Sequence, residues 1–440
     1  MKELFFALAD HAFAGLQDSE VLLLNFSGEV TDFIRFNHGQ VRQPMTVRQA
    51  QLGLTLIDGM RRNELTLTLA GTPLQDRGTV TAAVQSLRAE LSQLPEDPYL
   101  LYSTEATRSE RMDAGSLPGA ASAIEDVVEA ARGTDLVGLL ANGPIMRGFA
   151  SSVGARHWHA VDAFLFDWSL YHSGDKAVKC AWSGSTWDRA ELDRRIGDAR
   201  QQLAHLATPP RTLEPGEYRA YLAPAALDEL LWMLNWGGVS EKAQRTKQSC
   251  IQKLVEGEAA FSPLLGIAED IAGGLAPAFD ESGFTKPARV DLVLDGRHRG
   301  SMVSPRTGAE YGIASNGAGE GEGVAAMAVG AGTLREEDVL ASLGTGLYVG
   351  NLHYLNFSDR AGGRVTGMTR FATFWVEDGR IAAPVNVMRW DDTLYRMLGE
   401  NLEALTDRAH WILDSRTYGE RSVQTSRVPG ALLGKMAFTL

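Results

Sequence analysis

The apolar positions of this 440-residue chain change period several times. Residues 1–16 carry an amphipathic pattern that predicts a helix, and Asp10, His11 and Asp18 break the apolar run before it resembles a signal peptide. Glu20 to Phe26 (EVLLLNF) predicts a strand, and TDFIRFNHGQV alternates around His38-Gly39, the mark of a hairpin turn. Leu52 to Asp58 and Glu64 to Ala70 predict two more strands about a Gly59 turn. A helix follows from Val80 to Leu94, stopped by Pro95 and Pro98. Polar residues 101–122, with Gly115, Pro118 and Gly119, predict a linker. Beyond it come a helix (Ala121 to Arg132) and strands at Leu136 to Ala141, Met146 to Ser152, Trp158 to Tyr171 and Lys176 to Ser183. The charged helix Trp187 to Leu206 closes this second unit and is ended by Pro209 and Pro210. The unit repeats the strands-then-helix order of the first without a residue-level repeat.

A third unit opens at Gly216 with the strand EYRAYLA, and Pro224 then starts a helix, as proline does at a first turn. Leu227, Leu230, Leu231 and Leu234 form one apolar face; Trp232, Met233 and Trp236 fall on the opposite side. A helix apolar on both sides is expected to be buried on both. After about residue 285 the pattern is mostly β, punctuated by many glycines. The expected fold class is α+β and two-lobed. N-terminal α/β units with mixed sheets occupy 1–105 and 106–212. A largely antiparallel β-rich domain occupies 213–440.

Composition changes this picture little. Hydrophobic residues make up 44% and charged residues 22%, ordinary for a globular chain. The net charge of −13 argues against broad binding to nucleic acid or anionic membranes, and no apolar run is long enough to span a bilayer. Two cysteines, Cys180 and Cys250, give no disulfide framework and suit the reducing cytoplasm.

Several clusters are candidates for chemistry. His157 and His159 share one face of a strand, a geometry compatible with metal ligation, but no third ligand is near in sequence. They are expected to be surface or interface histidines. The run from Asn316 to Gly323 lacks the lysine and Ser/Thr of a phosphate loop; a mobile turn is expected, with a lid over a cleft as the second reading. His353, Asp359 and Arg360 lie in a polar loop after a strand, where they could serve a peptide or a partner. Asp391-Asp392 near Arg389 suggests a helix-capping turn. Cys250 is placed on a helix and is expected to be inert.

The stretch LASLGTGLYVGNLHYLNFSDRAGGRVTGMTRFATFWVEDGRIAAPV resembles the C-terminal region of the TldD/PmbA family. FDESGFTKPARVDLVLDGRHRGSMVSPRTGAEYGIASNG, just before it, is similar to that region too, and FNHGQVRQPMTVRQAQLGLTLIDGMRRN to the family's first domain. The resemblance implies one of two kinds of subunit. The TldD-like kind carries a His-Glu-x-x-x-His helix and a later cysteine, and binds zinc. The TldE-like kind lacks them and pairs with the first. The family is implicated in cleaving unfolded peptides and leader segments, and an older association with DNA gyrase modulation attaches to its name.

Aligned on that motif, the helix begun by Pro224 places Trp232 at the first histidine, Met233 at the glutamate and Gly237 at the second histidine. None of the three is a zinc ligand of the kind such a peptidase needs. A spacing of five residues puts side chains roughly 140° apart on an ideal helix, so they converge only where the helix ends or bends. Gly237-Gly238 could supply that end. No histidine lies between His205 and His298, and no cysteine follows Cys250, so both parts of the implied ligand set are missing. Trp232, Met233 and Trp236 are expected to fill the vacated site.

The resemblance therefore implies a non-catalytic, zinc-less subunit of a TldD/TldE-like metallopeptidase, with no cofactor of its own. Its partner would be a zinc-bearing TldD-like chain, and its substrate an unfolded or leader peptide added as an extra strand. Asn316, His353, Asp359 and Arg360 would contact peptide or partner. Two other readings stand beside it: a homo-oligomeric protein binding a peptide or small molecule, and an enzyme with a different site built on His157, His159 or His353.

Overall fold

The structure, a computed structural model, describes residues 1–174 and 176–439. Its first lobe begins with helix α1 (Lys2–Phe13), strands β1 (Glu20–Asn37), β2 (Gln40–Asp58) and β3 (Arg61–Thr68), and helix α2 (Pro73–Leu91). It continues with β4 (Arg108–Asp113), α3 (Ala120–Ala130), β5 (Asp135–Ser151), β6 (Arg156–Ser173), β7 (Lys176–Gly184) and α4 (Arg189–Leu206). The β1–β2 hairpin closes on His38 (φ 52°) and Gly39 (φ 65°), both left-handed, as a two-residue turn matched to strand twist requires. β1 and β5 pair antiparallel, so the two N-terminal units share one sheet of order β3-β2-β1-β5-β6-β4, with β7 also on β6.

Three local expectations are corrected. The polar stretch 101–122 contains β4, which pairs in parallel with β6 from Arg108 to Asp113. It is too exposed to show alternation. Helix α2 starts at Pro73, at the first-turn position proline favours, and not at Val80. The two strands expected within 136–152 are one strand, β5, running through Gly143-Pro144. Proline in a central strand removes a ladder donor. Here β5 skips pairing with β1 between Asn142 and Ile145, so no donor is missed.

All four long helices lie on one face of this sheet. α1 and α2 cover Leu22, Leu24, Phe26, Leu52, Leu54 and Leu56; α3 and α4 cover Ile34, Phe36, Phe164, Phe166 and Trp168. The other face packs on the second lobe through Leu23 and Phe149 against Phe279, and Ile145 and Val161 against Leu275 and Leu413. Arg421 pins this junction, donating to the carbonyls of Gly143 (3.0 Å) and Ala163 (2.9 Å). His157 and His159 are sealed inside it, not displayed at the surface. The His157 ring lies 2.7 Å from Ser109 Oγ and stacks on Phe279, and His159 Nε2 lies 2.8 Å from the Leu275 carbonyl. Burial pushes the His159 imidazole down to about 4, so it is neutral.

The second lobe opens with β8 (Gly216–Leu222) and α5 (Pro224–Leu231). Its remaining strands are β9 (Ile267–Glu269), β10 (Val290–Leu294), β11 (Arg297–His298), β12 (Ala326–Val329), β13 (Gly346–Asp359), β14 (Arg364–Glu377), β15 (Arg380–Pro384) and β16 (Arg389–Thr393). They end with β17 (Leu402–Leu405), β18 (His410–Leu413), β19 (Thr425–Val428) and β20 (Ala431–Phe438). One sheet has the order β11-β10-β9-β12-β19-β18; the other runs β13-β8-β20-β16-β14-β15 with β17 beside β20. β13 pairs back onto β14, so the second sheet closes on itself. Among the described residues of this lobe β12–β19 and β13–β8 are the parallel strand pairs, which gives the expected α+β fold with a largely antiparallel C-terminal lobe.

Further corrections follow from burial. Asp391 and Asp392 sit in strand β16, not in a capping turn: Asp392 accepts from the Thr393 and Ala437 N–H groups, and Asp391 pairs with Arg364. Cys250 lies in a turn between two short helices, and burial pushes its thiol up to about 12. The glycine-rich run is pinned, not free. Its Glu322 is buried and accepts from Ser240 Oγ (2.6 Å), Ser304 N (2.8 Å) and Lys242 N (2.9 Å).

Candidate functional site

Helix α5 begins at Pro224 and buries Leu227, Leu230, Leu231 and Leu234 in the main core of the second lobe. Its last turn tightens to a 3₁₀ helix over Trp232–Asn235, and the chain leaves it at Gly237, φ 90°. The next residue must also be small: a methyl group on Gly238 would sit 2.8 Å from Cys250 Sγ. The expected helix end at Gly237-Gly238 is therefore where the helix stops.

The other face of this helix is partly open: Met233 is buried against the same core, whereas Trp232 is half-buried and Trp236 exposed. Glu229, Trp232, Met233 and Trp236 recur at positions i, i+3, i+4 and i+7 and form one wall of a cleft of about 350 Å³. Leu352, His353, Tyr354 and Leu355 of β13 form the other wall. Trp236 is 49% exposed. This corrects the expectation of a helix buried on both sides. The tryptophans line a cavity and do not fill it.

β13 supplies its wall with an unused edge. It pairs with β8 only from Leu347 to Val349, while β14 holds its opposite edge along the whole strand. Beyond Val349 no strand pairs with the free edge among the described residues. The Leu352 N–H on that edge donates to Glu229 Oε2 at 2.6 Å, which ties the two walls together. Just after it the register breaks between His353 and Asn356, and Tyr354 takes a left-handed φ of 58° with its side chain 80% exposed. A tyrosine in that conformation is strained, and such strain concentrates where a strand is re-aimed for function.

The electrostatics are set by burial. It raises the Glu229 carboxyl to about 7, against the opposing pull of the Leu352 N–H and of Lys179. Neighbouring Asp228 is buried and is also raised to about 7, by burial first, opposed by Ser426 and Trp232. His353 is lowered by burial, Arg370 and Lys179, and is neutral at neutral pH. A carboxyl raised on folding stabilises most below its unfolded pKa, and that stability is lost as pH rises toward 7. Asp228→Asn, which keeps the shape and removes the charge, should therefore raise stability at pH 8 by about 2 kcal/mol and change little at pH 4. Urea denaturation at the two pH values measures this; equal effects at both would contradict the assignment.

The seven residues singled out by sequence are only partly brought together. Trp232, Met233 and His353 line the cleft. Gly237 adjoins it, and a methyl group there would lie 3.8 Å from Arg360 Nη1. The Arg360 guanidinium sits 5.0 Å over Phe357, whose ring lies 6.2 Å from Trp236. Asp359 instead accepts from the Gly362 N–H in its own turn (3.0 Å). Asn316 spends its amide on Val303 N (2.9 Å) and Ser301 O (2.8 Å). Sequence reasoning missed Glu229, Leu352, Tyr354 and Leu355. The i, i+3, i+4, i+7 stripe ending on Trp236 would have identified Glu229.

The cleft does not fit a catalytic zinc. Such an ion takes three protein ligands from imidazole, thiolate or carboxylate. The motif-aligned positions offer an indole, a thioether and a hydrogen atom. Glu229 and His353 are the cleft's two donors of the usual kind, and no group of three His, Cys, Asp or Glu side chains that could hold a metal occurs among the described residues.

Comparisons with known proteins agree on the fold. The chain is similar over its whole length to three solved structures. A candidate modulator of a DNA gyrase from Thermotoga maritima superposes with a TM-score of 0.76 at 12% identity, covering 99% of this chain and 100% of that one. TldE from Thermococcus kodakarensis gives 0.74 at 13%, covering 100% of both. A candidate modulator of DNA gyrase from Bacteroides thetaiotaomicron gives 0.73 at 15%, covering 100% of this chain and 98% of that one. No curated protein sequence matches. The family model described as the PmbA/TldA metallopeptidase C-terminal domain matches residues 215–440, the segment holding α5, β13 and the cleft, so the chain belongs to the TldD/PmbA metallopeptidase family.

Proposed function

We propose that this chain is the zinc-less, non-catalytic subunit of a TldD/TldE-like metallopeptidase that processes unfolded or leader peptides. The carrying observation is the chemistry of the cleft. Trp232, Met233 and Gly237 stand where the family motif would place its ligands and general base, and the cleft remains open and apolar. The free edge of β13 beside it supports a peptide added as a strand, with backbone pairing that tolerates varied sequences. The whole-chain likeness to a TldE supports the same reading. The partner is a zinc-bearing TldD-like chain; the division of the chain at 105/106 and 212/213 and a cytoplasmic location go with this proposal. Among the described residues no helix is long and apolar enough to cross a membrane.

The test is reconstitution. The chain co-expressed with a zinc-bearing relative should co-purify with it, and the pair should cleave an unstructured peptide at least about tenfold faster than the relative alone. Absence of both complex and added activity rejects the partnership. The open cleft favours one second reading, a homo-oligomeric peptide-binding protein; a stable homodimer indifferent to the relative would select it.

A further inference from the structure

We infer that the cleft between α5 and β13 is a subsite for a primary ammonium group, presented by a lysine side chain or by the free amino end of an extended peptide. The inference rests on the reading of this cleft as a peptide site and does not depend on the zinc-bearing partner. Of the eight lining residues, Trp232, Trp236 and Tyr354 are aromatic and Glu229 is the one acidic group. Aromatic faces attract cations through their negative quadrupole, and a carboxylate among them adds directional charge. Glu229 is held in place because one oxygen accepts from Leu352 N at 2.6 Å. No hydrogen-bond donor meets its other oxygen among the described residues. A bound ammonium would supply that donor.

The nearby cations are engaged elsewhere. Lys179 Nζ lies 3.6 Å from Asp167. The Arg370 guanidinium lies 5.1 Å over Phe371, and that of Arg360 lies 5.0 Å over Phe357. None of the three lines the cleft. Arg360 on Phe357, beside Trp236, shows that the aromatic rim of this region already accommodates a cation of the chain itself. The remaining walls, Met233, Leu352 and Leu355, suit the methylene stem of a lysine, which packs on apolar surface while its head seeks charge.

Calorimetric titration of the full-length chain with four peptides tests this. One is acetyl-Ala-Ala-Lys-Ala-Ala-amide; the second replaces lysine by norleucine, the same stem without charge. The third is penta-alanine amide with a free amino end, and the fourth its acetylated form. At least one ammonium-bearing peptide should bind about tenfold tighter than its neutral counterpart. The lysine and free-amine arms identify which source the cleft takes. Glu229→Gln, which can still accept from Leu352 N, should reduce that preference to about threefold or less. Trp236→Ala, at a half-exposed position the core does not use, should weaken the favoured peptide several-fold. Equal binding of charged and neutral peptides overturns the ammonium subsite while leaving a peptide site in place. No binding by any of the four overturns the peptide reading of the cleft as well.

Discussion

Gly143→Ala is expected to destabilise the chain by about 4 kcal/mol or more, among the largest effects of a single methyl group. Two costs add. Gly143 holds φ 138°, a conformation L side chains rarely adopt, and its added Cβ would lie 2.2 Å from the Val30 carbonyl oxygen. That oxygen belongs to β1, the neighbouring central strand, so it cannot swing aside as a flexible side chain would. The Gly143 carbonyl also receives Arg421 from the second lobe, so a displaced backbone would loosen the junction that seals His157 and His159. Gly59→Ala is the control. Gly59 also has a positive φ, 60°, but nothing lies within 4 Å of the added methyl, so only the backbone cost of about 1 kcal/mol remains. Urea unfolding of the two variants measures the difference; similar losses would contradict the close approach of Gly143 to the Val30 carbonyl.

This stretch of β5 also marks how far the sequence could be read. Alternation located the β1–β2 hairpin and its His38-Gly39 turn because one face of each strand is buried and the other is not. The same logic divided β5, since Gly-Pro ordinarily ends a strand; the skipped pairing that lets Pro144 stay is a tertiary feature. β4 was hidden because Arg108 to Asp113 form an edge strand with hardly any buried side chain. At the site, the absence of ligands at Trp232, Met233 and Gly237 was legible from residue identity alone. Whether those side chains filled a space or lined one was not. That depends on how far β13 stands from α5, which no local pattern encodes. Glu229 was legible in principle, because its stripe is helical, but its raised pKa arises from burial between two walls distant in sequence.

The second large effect concerns activity. In the reconstituted pair, replacing the first motif histidine of the zinc-bearing relative by alanine should lower peptide cleavage by on the order of a thousandfold or more, because the metal and its activated water are lost. The matching change here, Trp232→Ala, should lower cleavage by less than about tenfold. It removes part of a binding wall but no group that activates water. Trp232 is only partly buried, so the variant should remain folded and still co-purify with the relative. A loss at Trp232 as deep as that at the relative's histidine would place the chemistry in this chain.

The zinc content of each chain decides which of the two holds the metal, measured by elemental mass spectrometry after expression in zinc-supplemented medium and gel filtration without chelator. Less than about 0.1 zinc per molecule is expected for this chain alone and about one per pair in the complex, all of it lost when the relative's motif histidine is replaced. Close to one tightly bound zinc per molecule in this chain alone would contradict the reading of Trp232, Met233 and Gly237 as a site that has lost its metal.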